Sequence, residues 1–151
     1  MDYAILKTEL TTDPLGRGYA AKDNQQVADS LNTVNRTLQE PVPIKQVLRW
    51  SVQTDAIYKL KQASASGPRD QRRITEVALV LINHPHITEL DVEDPEIAAM
   101  LAALVAMALF KQGEVDALKA RGQRTVSRAE ELVLPPVSAG HIDSVRRRIG
   151  V

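Results

Sequence analysis

The chain has 151 residues, of which 44% are hydrophobic and only 3% aromatic, and its 19 Lys and Arg balance its 19 Asp and Glu. This length fits one domain with a core of its own, and the shortage of aromatic residues means that the core is aliphatic. The neutral net charge argues against a dedicated nucleic-acid-binding domain, and the absence of cysteine excludes disulfides, thiolate zinc sites and cysteine nucleophiles.

The N-terminal segment predicts two helices joined by a turn. Apolar spacing over residues 3–10 predicts the first helix, and Pro14 ends it because proline cannot continue the hydrogen-bond ladder. Asp23 and Gln26 have the spacing of a capping box, and the apolar stripe over residues 27–38 predicts the second helix.

The middle of the chain continues the helical pattern. Pro43 fits the first position of a helix, and a further helix is predicted to start at Thr54 or Asp55 and to end at Ala63. The segment Ser64–Pro68 combines small residues, glycine and proline, so it predicts a linker that opens the second half of the chain.

The second half carries the most apolar helices. Apolar spacing over residues 74–82 predicts one helix, and Asp94 followed by Pro95 is typical of the start of another. The helix predicted over residues 95–111 is apolar almost all round, which is typical of a helix that is central or covered by a partner subunit. Its apolar run is too short to span a bilayer, so no membrane contact is expected.

Three shorter helices are predicted toward the C-terminus. They cover residues 114–121, residues 125–132, and a final helix that Ser138 caps and that runs to Arg148. No strand alternation stands out. The sequence therefore predicts an all-α fold, a small bundle of about six to eight helices with extended terminal segments. A single helical domain over residues 1–151 is expected, divided into N-terminal helices and turn (1–40), an apolar core (68–134) and a C-terminal arm (135–151).

The turn after the first helix is predicted to be structural, and its residues are Asp13, Pro14, Gly16 and Gly18. The two glycines around Arg17 resemble part of a phosphate loop, but no apolar strand precedes them and no Walker lysine follows. A turn in which both glycines have positive φ angles is the better interpretation.

Candidate catalytic and metal sites are weak. His84 and His86 flank a proline whose extended backbone should point the two rings apart, and no third ligand is near in sequence. The acidic residues 91–96 lack the central glycine and distal glutamate of an EF-hand. Neither Ser127 nor Ser138 has a neighbouring base. We therefore expect no enzymatic activity, no cofactor and no metal.

Two arginine clusters allow alternative interpretations. Arg69, Arg72 and Arg73 lie at one predicted helix start, and residues 146–148 are three consecutive arginines in the final helix. Cations near a helix C-terminus are favourable for the helix dipole alone. The functional alternative for both clusters is contact with DNA phosphates or with an acidic partner surface.

Both ends of the chain carry distinctive strings. They are LTTDPLGRGY (residues 10–19), VA (27–28) and LNTVNR (31–36) near the N-terminus, and RTVSRAEEL (124–132) and GHI (140–142) near the C-terminus. These strings resemble a family of small virion-module proteins of tailed bacteriophages, whose members are similar at both ends and differ in the middle. Residues 41–67 depart from the aromatic-bearing segment expected there.

The resemblance implies a structural role. It is closest to the head–tail connectors, also called adaptors, which are helical and dock on the portal as an oligomeric ring in the neck. The implied partners are further copies of the chain, the portal, the next neck or tail protein and, in passing, packaged DNA. The implied location is the virion, after assembly in the cytoplasm of the host bacterium. The alternative is a small helical nucleic-acid-binding or regulatory protein that uses the arginine clusters.

A closed ring of many copies requires head-to-tail contacts, so each copy needs two different surfaces. One candidate is the N-terminal segment led by Tyr3, Ile5 and Leu6. The other is the amphipathic C-terminal segment, which is marginal as an isolated helix and is expected to order only against a neighbour or the portal. The residues predicted to bind a partner are Ile142, Val145, Arg146, Arg147, Arg148, Ile149 and Val151.

Overall fold

The computed structural model describes residues 1–150. Within this range there are nine α-helices and four short β-strands, in the order α1 (Tyr3–Thr12), α2 (Asn24–Asn32), β1 (Val34–Gln39), β2 (Val42–Pro43), α3 (Ile44–Gln53), α4 (Ala56–Ser66), α5 (Arg69–Asn83), β3 (Glu89–Leu90), α6 (Pro95–Ala106), α7 (Gln112–Ala120), β4 (Gln123–Ser127), α8 (Arg128–Glu131) and α9 (Ala139–Ile149). Strand β1 pairs with β4, and β2 pairs antiparallel with β3. The protein is mostly helical, as predicted, but the prediction of a purely all-α fold is wrong.

The described residues form two compact units. The end unit contains Met1–Leu38 together with the chain from Thr125 onward, and the middle unit contains Gln39–Arg124. The boundary after Arg124 falls inside the predicted segment 68–134, and the boundary after Leu38 falls just before the end of the predicted segment 1–40. The two ends of the chain, which are far apart in sequence, therefore fold together.

The end unit has its own core. Helix α9 packs against α1 and α2, and α8 packs against α2. The fully buried side chains at the centre of this core are Leu6, Tyr19, Val27, Leu31 and Ile142. Capping fixes where its helices begin, because Asp23 and Gln26 form the predicted capping box of α2 and the Ser138 side chain accepts the His141 N–H at the start of α9.

The middle unit has a second core, built from α3 to α7. Its buried residues are Val42, Val47, Trp50, Ala56, Leu60, Ala78, Val92, Leu101, Leu104, Phe110, Val115 and Leu118. The Trp50 indole donates a 2.7 Å hydrogen bond to the Glu114 carbonyl and meets the Phe110 ring edge to face at 5.3 Å. The predicted core helices over residues 74–82 and 95–110 both contribute, but they supply only part of this core.

Two of the strands, β1 and β4, occupy segments that were predicted to be helical. Helix α2 ends at Asn32, because the N–H and the hydroxyl of Thr33 both bond to the Asp29 carbonyl and Thr33 turns to extended backbone. The chain then enters β1, so the predicted helix over residues 27–38 is too long. Likewise, the segment predicted as a helix over residues 125–132 begins as β4, and its helical part starts only after Ser127.

The predicted linker Ser64–Pro68 is instead a tight helical hairpin. Helix α4 continues to Ser66, and only Gly67 and Pro68 separate it from α5. The hairpin leaves no room for a side chain at Gly67, where a Cβ would lie 2.5 Å from the Ala63 carbonyl oxygen. Because α4 and α5 pack closely along their length, no unit boundary falls there.

Helix α6 ends five residues earlier than predicted. Ala108 has a φ of 57°, and the N–H groups of Ala108 and Leu109 bond to the carbonyls of Val105 and Leu104. This Schellman arrangement reverses the chain and brings Phe110 into the core of the middle unit.

Helix α8 ends in the same way, with a residue type that is unusual there. Val133 has a φ of 56° and is 88% exposed, and the N–H groups of Val133 and Leu134 bond to the carbonyls of Glu130 and Ala129. Glycine usually holds this position, because a β-branched side chain is strained in the left-handed region.

Candidate functional site

Helix α9, predicted to be a docking arm, is part of the end unit. Ile142 and Val145 are 0% and 1% exposed, and Ile149 is partly buried against the same core. The prediction of an extended C-terminal segment is wrong, because the apolar side of α9 is covered by α1 and α2 of the same chain. In the folded unit Ile142 and Val145 are inaccessible to a partner. Val151, also predicted to bind a partner, lies outside the described residues.

The N-terminal surface is only partly available. Leu6 is fully buried, whereas Ile5 is 37% exposed. Tyr3 is half-buried, and its ring meets the His141 ring edge to face at 6.2 Å. Of the three residues expected to lead this surface, Ile5 therefore offers the freest apolar side chain.

The three C-terminal arginines have different roles. Arg146 donates hydrogen bonds to the carbonyls of Tyr19 and Lys22, at 2.6 and 2.8 Å, and to the Asn24 side chain at 2.8 Å. Arg147 is largely exposed and pairs with Asp143, one turn earlier, at 2.8 Å. The Arg148 guanidinium lies 5.0 Å from the centre of the Tyr3 ring. Arg146 is thus committed to the fold, while Arg147 and Arg148 remain at the surface.

The predicted turn is held by the Asp13 carboxylate. It accepts hydrogen bonds from the Arg17 N–H at 2.8 Å and the Gly18 N–H at 2.6 Å. Gly16 and Gly18 have φ angles of 61° and 68°, as the sequence predicted. Although desolvation opposes its ionisation, the backbone N–H groups lower the pKa of the Asp13 carboxyl. Pro14 follows at the surface of the same turn.

A buried cluster of charges lies beside this turn. Arg128 on α8 donates to both carboxylate oxygens of Glu9 on α1, at 2.9 and 2.6 Å. Arg128 also contacts Glu131 at 3.0 Å, and Glu131 pairs with Arg36 on β1. The Tyr19 hydroxyl donates to Glu9 at 3.2 Å. The cluster therefore connects the N-terminal segment with the C-terminal segment of the end unit.

The pKa values of Arg128, Glu131 and Tyr19 are shifted by their surroundings. Hydrogen bonding to Glu9 raises the pKa of Arg128, although burial opposes this. Burial disfavours the charge on Glu131, but the hydrogen bonds from Arg128 and Arg36 outweigh it and lower its pKa. Burial, with the negative charge of Glu9, raises the pKa of Tyr19 to about 12. All of these groups keep one protonation state at neutral pH, which suits a structural framework.

Sequence analysis did not find this cluster. The available signal was the position of Glu9, three residues after the buried Leu6 and therefore on the inward side of α1. A carboxylate on the apolar side of a helix indicates a buried partner. The partner could not be located, because Arg128 is far away in sequence.

The other predicted candidates do not assemble into a metal site. The rings of His84 and His86 lie 5.7 Å apart, centre to centre, rather than pointing apart as expected. Within residues 1–150, no three His, Asp or Glu side chains are grouped as metal ligands would be. In the acidic loop, Asp91 and Asp94 bond to nearby backbone N–H groups, and Asp94 caps α6. No helix in this range is long and apolar enough to cross a bilayer.

The second arginine cluster is free. Arg69, Arg72 and Arg73 are all exposed at the start of α5. Their guanidinium groups form no ion pair or hydrogen bond with any residue in the described range 1–150. This distinguishes them from Arg146, whose bonding capacity is used within the end unit.

The geometry therefore offers a rigid internal framework in the end unit and an uncommitted cationic surface in the middle unit. Comparisons of the chain with protein-family models, with curated proteins and with solved structures found no match.

Proposed function

We propose that this protein is a structural subunit of a tailed-phage virion, most like a head–tail connector that docks on the portal as an oligomeric ring. One observation carries the proposal. Apart from Arg124, the strings that resemble the phage family, over residues 10–36, 125–132 and 140–142, lie in the end unit. Strings that are far apart in sequence thus belong to one compact body.

The part of the chain that departs from the family has a matching location. Residues 41–67, which do not fit the expected pattern, belong to the middle unit. Family members that are similar at both ends and different in the middle would then share an end unit and carry different middle units. Sequence differences confined to the middle unit would leave the end unit with the same role in all members.

The end unit has properties suited to a scaffold. Its cluster of Glu9, Arg128, Glu131 and Arg36 is paired within the unit, so its charges hold the chain rather than a ligand. Its surface keeps apolar side chains for contact with other proteins, among them Leu15, Val34 and Val133, at 37%, 59% and 88% exposure. In this proposal the partners are further copies, the portal and the next neck or tail protein. The protein resides in the virion after assembly in the host cytoplasm.

The test has two parts. Mass spectrometry of purified virions should detect the protein at a copy number typical of a ring, and recombinant protein should co-sediment with purified portal. A virion preparation that lacks the protein, together with no binding to portal, would overturn the proposal. Surface substitutions are the appropriate probes of docking. Arg147→Glu should weaken portal binding if α9 docks through its exposed side, and Lys45→Glu, an exposed cation on α3, is the control.

The alternative is a small helical nucleic-acid-binding or regulatory protein. The free arginines of α5 favour it, since unpaired cations suit phosphates. The internal bonds of Arg146 argue against it, because they leave only Arg147 and Arg148 of the C-terminal cluster at the surface. Salt-dependent binding of duplex DNA, in the absence of portal binding, would support this alternative.

A further inference from the structure

The exposed side of α5 has no partner within the chain. Val77 and Val80 are 51% and 62% exposed, although valine is usually buried. They lie one and two turns beyond Arg73, on the side of the helix that begins with the free Arg69. Exposed apolar residues that continue a line of unpaired cations mark a surface that another molecule covers.

The position of these cations is electrostatically unfavourable in the isolated chain. Positive charges at a helix N-terminus oppose the helix dipole, and Arg69 repels Arg72 and Arg73 across one turn. Asp70 and Glu76 are the acids on the same helix, and neither forms an ion pair with these arginines. An acidic partner surface would relieve this repulsion, so the expected partner is negatively charged near the start of α5.

The same chain carries a surface of that kind. Residues 84–110, which follow α5, contain no Lys or Arg but five carboxylates, which are Glu89, Asp91, Glu93, Asp94 and Glu96. Glu93 is exposed just before α6, and the exposed side of the helix begins with Glu96 and continues with the small residues Ala99, Ala102 and Ala106. Small residues allow a second helix to approach closely, and projecting valines would fill the space above them.

We infer that the exposed side of α5 docks on the exposed side of α6 of a second copy of this chain, with the two helices parallel. Arg72 and Arg73 then meet Glu93 and Glu96, and the two valines lie over the alanines. The charges and the side-chain sizes are complementary in the same register. The inference rests on the proposed ring, because α5 and α6 are different surfaces and their pairing is heterologous, as ring closure requires.

Two matched charge reversals test the contact. Arg72→Glu/Arg73→Glu makes both docking surfaces acidic, and Glu93→Lys/Glu96→Lys makes both basic. The control is Lys45→Glu/Arg49→Glu, which reverses two exposed cations on α3. Each variant is first checked for helix content and for the emission of Trp50. Self-association is then measured by sedimentation velocity at low and high ionic strength, since added salt screens exposed charges.

The wild type and the control should self-associate, more strongly at low salt. Each reversed variant alone should associate about tenfold more weakly or worse, because like charges then face each other. An equimolar mixture of the two reversed variants should recover association, since every α5–α6 contact between unlike variants pairs opposite charges. This recovery cannot come from a folding defect.

The inference is overturned if the reversed variants assemble like the wild type, if the mixture does not recover, or if the wild type stays monomeric at low salt. It is also overturned if Arg72→Glu/Arg73→Glu abolishes binding of duplex DNA but leaves self-association intact, because the arginines would then face nucleic acid. Assembly that is insensitive to these charges leaves the proposed ring standing. Absence from virions together with loss of portal binding overturns the proposed function itself.

Discussion

Glu9 is the most deeply buried member of the ion-pair cluster in the end unit. Its side chain is 2% exposed and that of Arg128 is 12% exposed, so each depends on the other for the interactions it loses with water. Removing one member of a buried pair is costly, because the remaining charge stays buried without compensation.

Arg128→Met should therefore destabilise the protein by about 3 kcal/mol. The matched control is Arg124→Met. Arg124 forms an ion pair with Glu40 in which both side chains are about half exposed, so this change should cost less than about 1 kcal/mol. Urea unfolding followed by circular dichroism measures both. The double change Glu9→Gln/Arg128→Met should recover part of the loss, and equal effects of the two single changes would contradict the role given to the buried pair.

The glycines of the Asp13 turn are constrained by their φ angles alone. A Cβ at Gly16 or Gly18 would meet no atom within 4 Å. Gly16→Ala and Gly18→Ala should nevertheless each destabilise by about 1 kcal/mol, because alanine disfavours positive φ. Gly113, which is equally open but lies in α7, provides the control, and Gly113→Ala should raise the melting temperature. Unchanged melting for both turn variants would refute the argument.

Val133 should respond in the opposite direction. Val133→Gly removes the strain of a β-branched residue in the left-handed region and should stabilise the protein by about 1 kcal/mol. Val34 is a suitable comparison, because it is also exposed, at 59%, but lies in β1. Val34→Gly should destabilise, since glycine weakens a strand. Thermal unfolding compares the two variants. A loss of stability in Val133→Gly would show that the contacts of the valine side chain outweigh its backbone strain.

At the scale of elements, helix starts were more predictable than helix ends. Asp23, Asp94 and Ser138 each cap a helix as expected, because capping depends on residues within one turn. The ends of α2 and α6 were misplaced, because their apolar patterns continue past the turn. The strands escaped prediction because β1 and β4 form only by pairing with each other, a contact between distant parts of the sequence.

The burial of α9 determines what its removal should do. Truncation after Pro136 deletes Ile142 and Val145 from the core of the end unit, and losses of this size cost several kcal/mol. The truncated chain should lose the cooperative unfolding of the end unit, observed as reduced helix content. Emission from Trp50, the single tryptophan, should stay near that of the wild type because it reports on the middle unit. An end unit that stays folded after truncation would contradict the packing of α9.

For the whole molecule, the sequence predicted the helical class and a central aliphatic core but not the division into two units. The middle unit is continuous in sequence, whereas the end unit is assembled from two segments separated by more than half of the chain. Periodicity within a window carries no information on which distant segments meet. The same limit applies to the candidate docking surfaces. The apolar side of α9 has no partner nearby in the sequence, because α1 and α2, which cover it, lie at the other end of the chain.

The continuous unit should fold alone. A fragment with residues 39–124 contains every residue of the second core, so it should keep its helix content and the blue-shifted emission of the buried Trp50. Circular dichroism and fluorescence of the purified fragment test this. The change Leu104→Ala/Phe110→Ala, which empties the same core and keeps Trp50 as the reporter, provides the negative control. A fragment that resembles this control would mean that the middle unit depends on the end unit.

The Glu40 N–H and the Gly122 carbonyl are joined by a 2.8 Å hydrogen bond, and a Cβ on Gly122 would lie 2.2 Å from the Glu40 oxygen. The chain therefore enters and leaves the middle unit at one point. Insertions whose ends meet impose little closure entropy on their host. A single recombination event could exchange the whole segment that encodes the middle unit. The protein would then acquire a new surface while the end unit stays unchanged.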